Sequence, residues 1–404
     1  MKKTISASLI AVILISSLSV FNDINAQTSP DNLLGQLNTI TTAVPFLSIS
    51  PDARAGGMGD VGVATMPTSS AMHWNISKLA WSEDDMGVSI SYTPWLRSLV
   101  PDINLAYLSW HKKIQRDQAI SASLRYFSLG AIQLTDINGN PIGESNPNEF
   151  AIDVGYARIL GDEFSGGLSL RYINSNLTNG QSFQGIETKA GQSVAADLSA
   201  LWRHDVDISG KDGKVQVGAN ISNIGSKITY TNLGNAKDFI PINLRLGGAL
   251  IMDLNEYNEL TVALDFNKLL VPSPPVYCDT CGTGVSQILF GENPDKSVAE
   301  GIFSSFSDAP NGFEEEVQEI NIAFGMEYWY DKQFAFRLGY FNEHENKGNR
   351  KYLTLGAGLK FNVFGLDFAY LIPTEQRHPL ENTLRFTLHF DIAGLQEQNE
   401  EIIE

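Results

Sequence analysis

Three features of this 404-residue chain could carry chemistry. Residues 57–62 read Gly-Met-Gly-Asp-Val-Gly, the G-x-G-x-x-G spacing whose turn lets backbone amides meet a dinucleotide pyrophosphate. Cys278 and Cys281 form a C-x-x-C pair, a spacing used for redox exchange and for half of a zinc site. The third feature is the six histidines, His73, His111, His204, His344, His378 and His389, which could supply a general base.

Each reading weakens in its context. The nucleotide fingerprint needs a strand before it and a helix after it, yet Pro51 interrupts the first flank and Pro67 the second. Two thiolates cannot fill a tetrahedral zinc site, and no histidine lies close to them in sequence. A loop disulfide or idle thiols fit that pair better, and no metal or other cofactor is expected. Of the histidines only His389 falls within a strand pattern, with Thr387 two residues away and no serine motif beside it. A hydrogen-bonded structural role is the expectation there, and no catalytic residue is assigned.

The chain begins with Lys2 and Lys3, an apolar run over 9–20 and Ala26, which together read as a secretory signal over 1–26. Export further disfavours nucleotide chemistry. The net charge of −18, from 28 Lys and Arg against 46 Asp and Glu, argues against nucleic acid as a partner. After the signal no apolar run reaches the roughly 18 residues of a membrane helix.

From Gly87 onward the residues alternate. Ile120, Leu124 and Tyr126 stand between Ser121, Ser123 and Arg125; Leu168, Leu170 and Tyr172 stand beside Ser169 and Arg171; Leu384, Phe386, Leu388 and Phe390 enclose Arg385, Thr387 and His389. Period two makes a strand with one apolar and one polar face. About fourteen such strands follow, over 87–92, 103–112, 119–128, 149–160, 164–174, 194–204, 213–222, 242–252, 258–266, 320–330, 333–341, 352–361, 366–372 and 383–391. A weak run over 227–232 could add another. The connections alternate long and short, as in transmembrane barrels. A soluble sandwich or propeller has no need of that parity. The expected fold is all-β, a 14-stranded antiparallel transmembrane β-barrel with an N-terminal plug segment in the lumen.

Parity puts both termini in the periplasm and the long loops outside. The expected organisation is a signal over 1–26, a plug segment over 27–85 that starts in the periplasm, a barrel over 86–391 and an acidic periplasmic tail over 392–404. The polar strand faces carry Arg125, Arg171, Arg245, Arg337, Lys360 and Arg385 against Asp153, Asp197, Asp265, Glu327 and Asp367. Charges facing lipid cost a few kcal/mol each near the bilayer centre, so these face the lumen and are expected to pair across strands. Tyr92, Trp95, Trp110, Tyr126, Phe127, Trp202, Trp329 and Tyr330 near strand ends suit interfacial girdles. Gly56, Gly57, Met58, Gly59 and Gly62 then serve close packing inside the barrel, and Asp52, Arg54 and Asp60 are expected to pair with lumen charges.

The stretches "PFLSISPDARAGGMGDVGVAT", "VSISYTPWLRSLVPDINLAYLSW", "ISASLRYFSLGAI" and "NPNEFAIDVGYAR" resemble the PorV (LptO) family, within the FadL-related outer-membrane barrels. Asn75 is followed by Ile76 and Ser77, where the wider group has Pro and Ala. The resemblance implies a fourteen-stranded, plugged outer-membrane barrel of the type IX secretion system in the Bacteroidota. It implies a non-enzymatic shuttle that binds C-terminal signal domains of secreted cargo. The implied partners are those domains, the large translocon barrel, the surface attachment complex and outer-membrane lipids. Cargo contact is expected on the outer loops, with Trp95, Leu96, Leu99 and Val100 as an apolar set in what should be a polar loop. The long loop 267–319 is a second candidate. A FadL-type transporter of hydrophobic molecules is the alternative, and a lipid-modifying enzyme a remote one.

Overall fold

The computed structural model describes residues 4–5, 38–135, 138–178, 180, 182–183, 186–231, 237–277, 287–375 and 378–392. Fourteen antiparallel strands form one closed barrel: β1 Met86–Pro94, β2 Asn104–Gln115, β3 Gln118–Ser128, β4 Asn148–Ile159, β5 Phe164–Asn176, β6 Gly191–Ile208, β7 Lys211–Gly225, β8 Asn243–Asn255, β9 Asn258–Leu269, β10 Asn321–Tyr330, β11 Phe334–Asn342, β12 Lys351–Phe361, β13 Phe364–Pro373 and β14 Leu384–Asp391. Each strand pairs with its neighbours in sequence, and β14 closes the ring on β1 through registers such as Ser91 with Thr387 and Ser89 with His389. Closure satisfies every strand edge, which a hydrocarbon environment requires.

The two faces follow from side-chain alternation. Ile90, Leu108, Leu124, Val154, Leu170, Val217, Phe336 and Leu355 point outward and stay exposed, a belt of apolar side chains around the ring. Ser89, Ser109, Ser123, Asp153, Thr261, Glu327 and Thr387 point inward and are buried. No helix among the described residues is long and apolar enough to cross a membrane; the strands supply the apolar belt.

All fourteen strands stand where the alternation places them, several longer than the pattern alone implies. The run over 227–232 is not a further strand, for its described part makes only isolated bridges, Ile228 with Asp238 and Thr231 with Thr188. Phe127 and Trp329 also depart from the girdle. Phe127 is buried against Phe46, and Trp329 stacks on Arg337, both on the inward face.

Residues 43–82 run inside the ring and are mostly buried. They form short helices that lack any apolar stripe long enough to be seen in sequence: α1 Ala53–Gly57, α2 Ala71–Trp74 and a 3-10 turn over Ile76–Trp81. Their direction differs from the expectation. Ala43, Val44, Phe46 and Leu47 pack with Leu105, Phe127, Ile173, Ile240, Ile242 and Leu270, at the end of the barrel that bears the long loops. Ala43 N–H donates to the Phe239 carbonyl there, at 2.9 Å. The chain then descends the lumen and reaches β1 at the short-turn end, where Gly87 pairs with Asp391. The described part of the segment starts at the long-loop end and not at the short-turn end: Asn38 lies with the long loops, donating to Glu315 at 2.7 Å. The longest loop carries two further helices, α3 Val298–Ser304 and α4 Phe313–Gln318.

Glycines allow the segment to touch the wall. Gly59 has φ of +70°, and a Cβ there would lie 2.6 Å from the Tyr340 nitrogen and 2.8 Å from the Phe324 carbonyl oxygen. A side chain at such a φ costs about 1–3 kcal/mol before any clash is counted. Gly59→Val is therefore expected to free the segment from the wall without undoing the strands. In folded, heat-modifiable protein, trypsin should cut after Arg54 in the variant and spare the parent. Equal resistance in both would contradict this packing.

Candidate functional site

The inward faces of β9 to β14 hold the N-terminal segment through paired charge. Asp52 caps α1, its Oδ1 accepting from Ala55 N–H at 2.9 Å, while Oδ2 accepts from the Trp74 indole at 2.6 Å. Asp52 therefore braces the segment internally and does not meet a lumen cation, contrary to the expectation: its carboxylate is spent on a helix end and an indole in its own segment. The α1 helix carries Arg54 toward β10. Arg54 meets Glu327 side-on, Nε at 2.9 Å from Oε2 and Nη2 at 2.6 Å from Oε1, and donates to the Met66 carbonyl at 3.0 Å.

Glu327 accepts equally from the next strand. Arg337 Nε lies 2.6 Å from Glu327, and Arg337 Nη1 lies 2.6 Å from Asp367 on β13. Asp367 also meets His389 Nε2 at 2.7 Å. One chain of ion pairs and hydrogen bonds thus links the segment to four strands. Side-on geometry makes the Arg54–Glu327 contact strong and directional.

Asp60 is the second anchor. It is paired with Arg385 on β14 and accepts from the Tyr352 hydroxyl at 2.6 Å. Burial pushes its carboxyl up, but Arg385 and Tyr352 outweigh burial and hold it below the ordinary carboxylate range. Between these anchors the backbone is caught directly. Ala53 N–H donates to Thr387 Oγ1 at 2.8 Å and Gly59 N–H to Thr354 Oγ1 at 2.8 Å. Gly62 and Val63 N–H both donate to Asp265 Oδ2, at 2.8 and 2.9 Å. The glycine run is thus a wall contact, with an aspartate where a phosphate would sit. Gly56 lies under Arg385, Gly57 against Gly356 and Gly62 against the Trp74 ring, and Met58 is wholly buried. Lys78 donates to the Gly62 carbonyl at 2.5 Å, and burial, reinforced by Arg54, pushes its ammonium down to about 7.

The opposite wall is braced differently. Arg171 on β5 binds Asp153 and Asp197, Nη2 lying 3.0 Å from Asp197 Oδ2. Arg125 has no carboxylate beside it. It donates to the Leu47 carbonyl at 2.7 Å and to His73 Nδ1 at 2.7 Å. A guanidinium offers no acceptor, so His73 accepts through Nδ1 and is neutral; burial and then Arg125 hold its pKa well below the ordinary value. Arg245 donates to Asn267 at 2.6 Å and stacks 4.6 Å over Trp74. Lys360 is a correction. It points inward, but at the short-turn rim, half-exposed and 3.8 Å from Asp84, because its strand position lies beyond the packed segment.

The outer-loop set divides. Leu99 and Val100 are exposed, whereas Trp95 and Leu96 are half-buried and pack against the cluster of Phe341, Tyr352, Leu371 and Leu380. Cys278 and Cys281 lie outside the described residues. At the short-turn mouth a cavity of about 280 Å³ is lined by charged groups, among them Arg54, Asp84, Lys214 and Glu259, and by apolar ones, among them Leu359 and Phe364. His389 meets Asp367. The lumen arrangement holds the segment in place. Sequence reasoning missed Lys78, Tyr352, Thr354 and Thr387, which bear no spacing signal beyond lying on inward strand faces or in the segment.

Comparison with known proteins places this geometry in context. A family model described as "Type IX secretion system protein PorV" matches residues 33–276, more than half of the chain. Among solved structures, the toluene transporter TbuX of Ralstonia pickettii aligns at 13% identity over 85% of this chain and 97% of its own, with a TM-score of 0.47. The toluene transporter TodX of Pseudomonas putida aligns at 11% identity over 88% and 98%, with a TM-score of 0.46. A FadL homologue of Pseudomonas aeruginosa aligns at 10% identity over 87% and 99%, with a TM-score of 0.42. No curated protein matches.

Two outcomes follow from the anchors. Glu327→Gln leaves Arg54 and Arg337 buried without their shared anion, a loss of about 3–5 kcal/mol; Arg54→Met added to it should restore part. Urea unfolding in lipid vesicles measures both, and an unchanged midpoint in the single variant would count against the pairing. For Asp60 the folded value lies below the unfolded one. Its stabilisation is present above the unfolded value of about 3.9 and is lost as pH falls through the folded value. Reaction of Met58→Cys with a dipyridyl disulfide, whose protonated form still reacts at acid pH, in a Cys278→Ser/Cys281→Ser background and taken relative to an exposed control cysteine, should rise on acidification below pH ~4. Adding Asp60→Asn should remove that acid step.

Proposed function

This chain belongs to the PorV family, and on that premise we propose that it is a non-enzymatic outer-membrane docking protein that binds the C-terminal signal domain of secreted cargo. In this reading it carries cargo from the translocon to the surface complex that attaches it. The short turns and the end of β14 face the periplasm, and the long loops face outward.

The observation that carries the reading is the filled lumen. Residues 43–82 occupy it, held by Glu327, Asp265, Thr387 and Arg385. Freeing such a segment for each transported molecule would expose several buried charges, each costly without its partner. A plug of this kind favours a scaffold that presents its long-loop end to a partner over one that passes solutes. Leu99 and Val100, exposed beside the anchored Trp95 and Leu96, offer an apolar contact on a firm base.

A tagged copy extracted from its own host in mild detergent tests this. Secreted proteins sharing a C-terminal domain should co-purify, together with a very large barrel or surface-complex subunits. Leu99→Ser/Val100→Ser should reduce the cargo recovered several-fold while leaving barrel yield unchanged. A barrel recovered alone and carrying lipid would instead favour transport of hydrophobic molecules.

A further inference from the structure

The helix α4 is built inside out. Its residues Phe313, Glu314, Glu315, Glu316, Val317 and Gln318 would in water turn the acids outward and the apolar pair inward. The reverse is found. Glu315, Glu316 and the following Glu319 are buried, while Phe313 is 83% exposed and Val317 50% exposed. Phe313 and Val317 stand four residues apart and so share one helix face.

The buried acids have built partners. Lys268 Nζ lies 2.9 Å from Glu316 and 2.6 Å from Glu319. Lys347 Nζ lies 2.5 Å from Glu315 and 3.0 Å from Glu319. Ser273 donates to Glu319 at 2.6 Å, and Asn311 N–H donates to Glu315 at 2.9 Å. This cluster fixes where the helix lies. On β9 the inward residues are Thr261, Ala263, Asp265 and Asn267, so alternation puts Phe266 and Lys268 on the outward face. Lys268 is nevertheless buried, covered by α4 and by the Phe306 ring 6.0 Å from its Nζ. The helix is therefore packed on the outside of the barrel, two residues along the strand from Phe266, which remains exposed in the apolar belt. Two strand residues span roughly 6.6 Å.

Helix α3 lies over the sealed mouth: Val298 and Ile302 pack on the cluster of Phe46 and Leu47, while Phe303 is 78% exposed. Phe313 and Val317 thus stand near the belt, with Phe303 and the partly exposed Phe306 in the same loop; of the acids of the two helices Glu300 and Glu314 stay exposed.

We propose that α3 and α4 form a membrane-interface anchor, in which Phe303, Phe313 and Val317 enter the lipid at the long-loop edge of the belt beside β9. The occupant is lipid because the patch continues the barrel's own lipid-facing surface. Burying Glu315, Glu316 and Glu319 against Lys268 and Lys347 also removes part of the charge that would oppose entry, leaving Glu300 and Glu314 for the headgroup side. The aromatic side chains suit that boundary, where ring-bearing residues anchor to the interface. The anchor would set the height and tilt of the long loop independently of any secretion partner, and so goes beyond the docking role.

The test uses the full chain in phosphatidylcholine vesicles. Spin labels are placed at Phe303→Cys, Phe313→Cys and Val317→Cys in a Cys278→Ser/Cys281→Ser background. Phe266→Cys is the lipid reference and the exposed Glu144→Cys the water reference. Labels at all three sites are expected to collide more with oxygen, which concentrates in lipid, than with a water-soluble nickel chelate, as at position 266. Nickel-dominated collision, as at position 144, would overturn the proposal. Shielding from both would overturn it in favour of burial by protein. Should the variants fail to fold, the unaltered protein is treated with a lipid-soluble carbene reagent. Labelling within 298–318 supports the anchor, and its absence there with labelling of β9 overturns it. No secretion partner is present, so neither result depends on the docking role.

Discussion

Glu327 is the residue on which the interior depends. It is fully buried and shared between Arg54 of the entering segment and Arg337 of the neighbouring strand. Neither arginine can shed its proton, and burying either without a partner anion is costly. The carboxylate therefore couples two things that need not have been coupled, closure of the wall and seating of the segment. Asp367 extends the same alternation of charge to β13, and His389 on β14 hydrogen-bonds to it. The ion pairs of Arg54, Arg337 and Arg385 act as a clamp on the segment, while Arg125, Arg245 and Lys78 are held by neutral acceptors.

The glycines and the hydroxyls complete what the charges begin. Charged side chains set the segment at a few points, but a chain in a lumen also carries backbone donors that water cannot reach. Asp265, Thr354 and Thr387 accept them. Contact this close leaves no room for a Cβ at Gly59, with its positive φ, or at the facing Gly325, whose added Cβ would lie 2.5 Å from the Met58 carbonyl oxygen. A spacing that resembles a phosphate cradle thus does related physical work, presenting bare amides to an anion, with a protein carboxylate as the anion.

The two ends of the barrel are finished by different means. The short-turn end is open and polar around Lys214, Glu259 and Lys360. The long-loop end is sealed inside by Phe46 and Leu47, with α3 packed over that cluster and α4 on Lys268 of β9. That end is therefore packed at its base and carries exposed apolar side chains such as Leu99, Val100 and Phe313.

Much of this was legible in the residues alone. Period-two alternation does not depend on distant partners, since each strand must choose which face meets lipid. The fourteen strands, their loop parity and the inward placement of Arg125, Arg171, Asp265, Glu327, Arg337 and Arg385 could all be read locally. Pairing could not. Nothing in the spacing says that Arg54 seeks Glu327, that Asp52 serves a helix end and Trp74, or that Arg125 settles on a carbonyl and a histidine. Nor does it say that the segment begins among the long loops. Those outcomes depend on register across the closed ring and on which volume the segment must fill. By itself the sequence determined a barrel with a charged interior and a glycine-rich leader to fill it. Only the tertiary structure decided which charges meet and which way the leader runs, because burial makes each unpaired charge costly and leaves one arrangement that pairs nearly all of them.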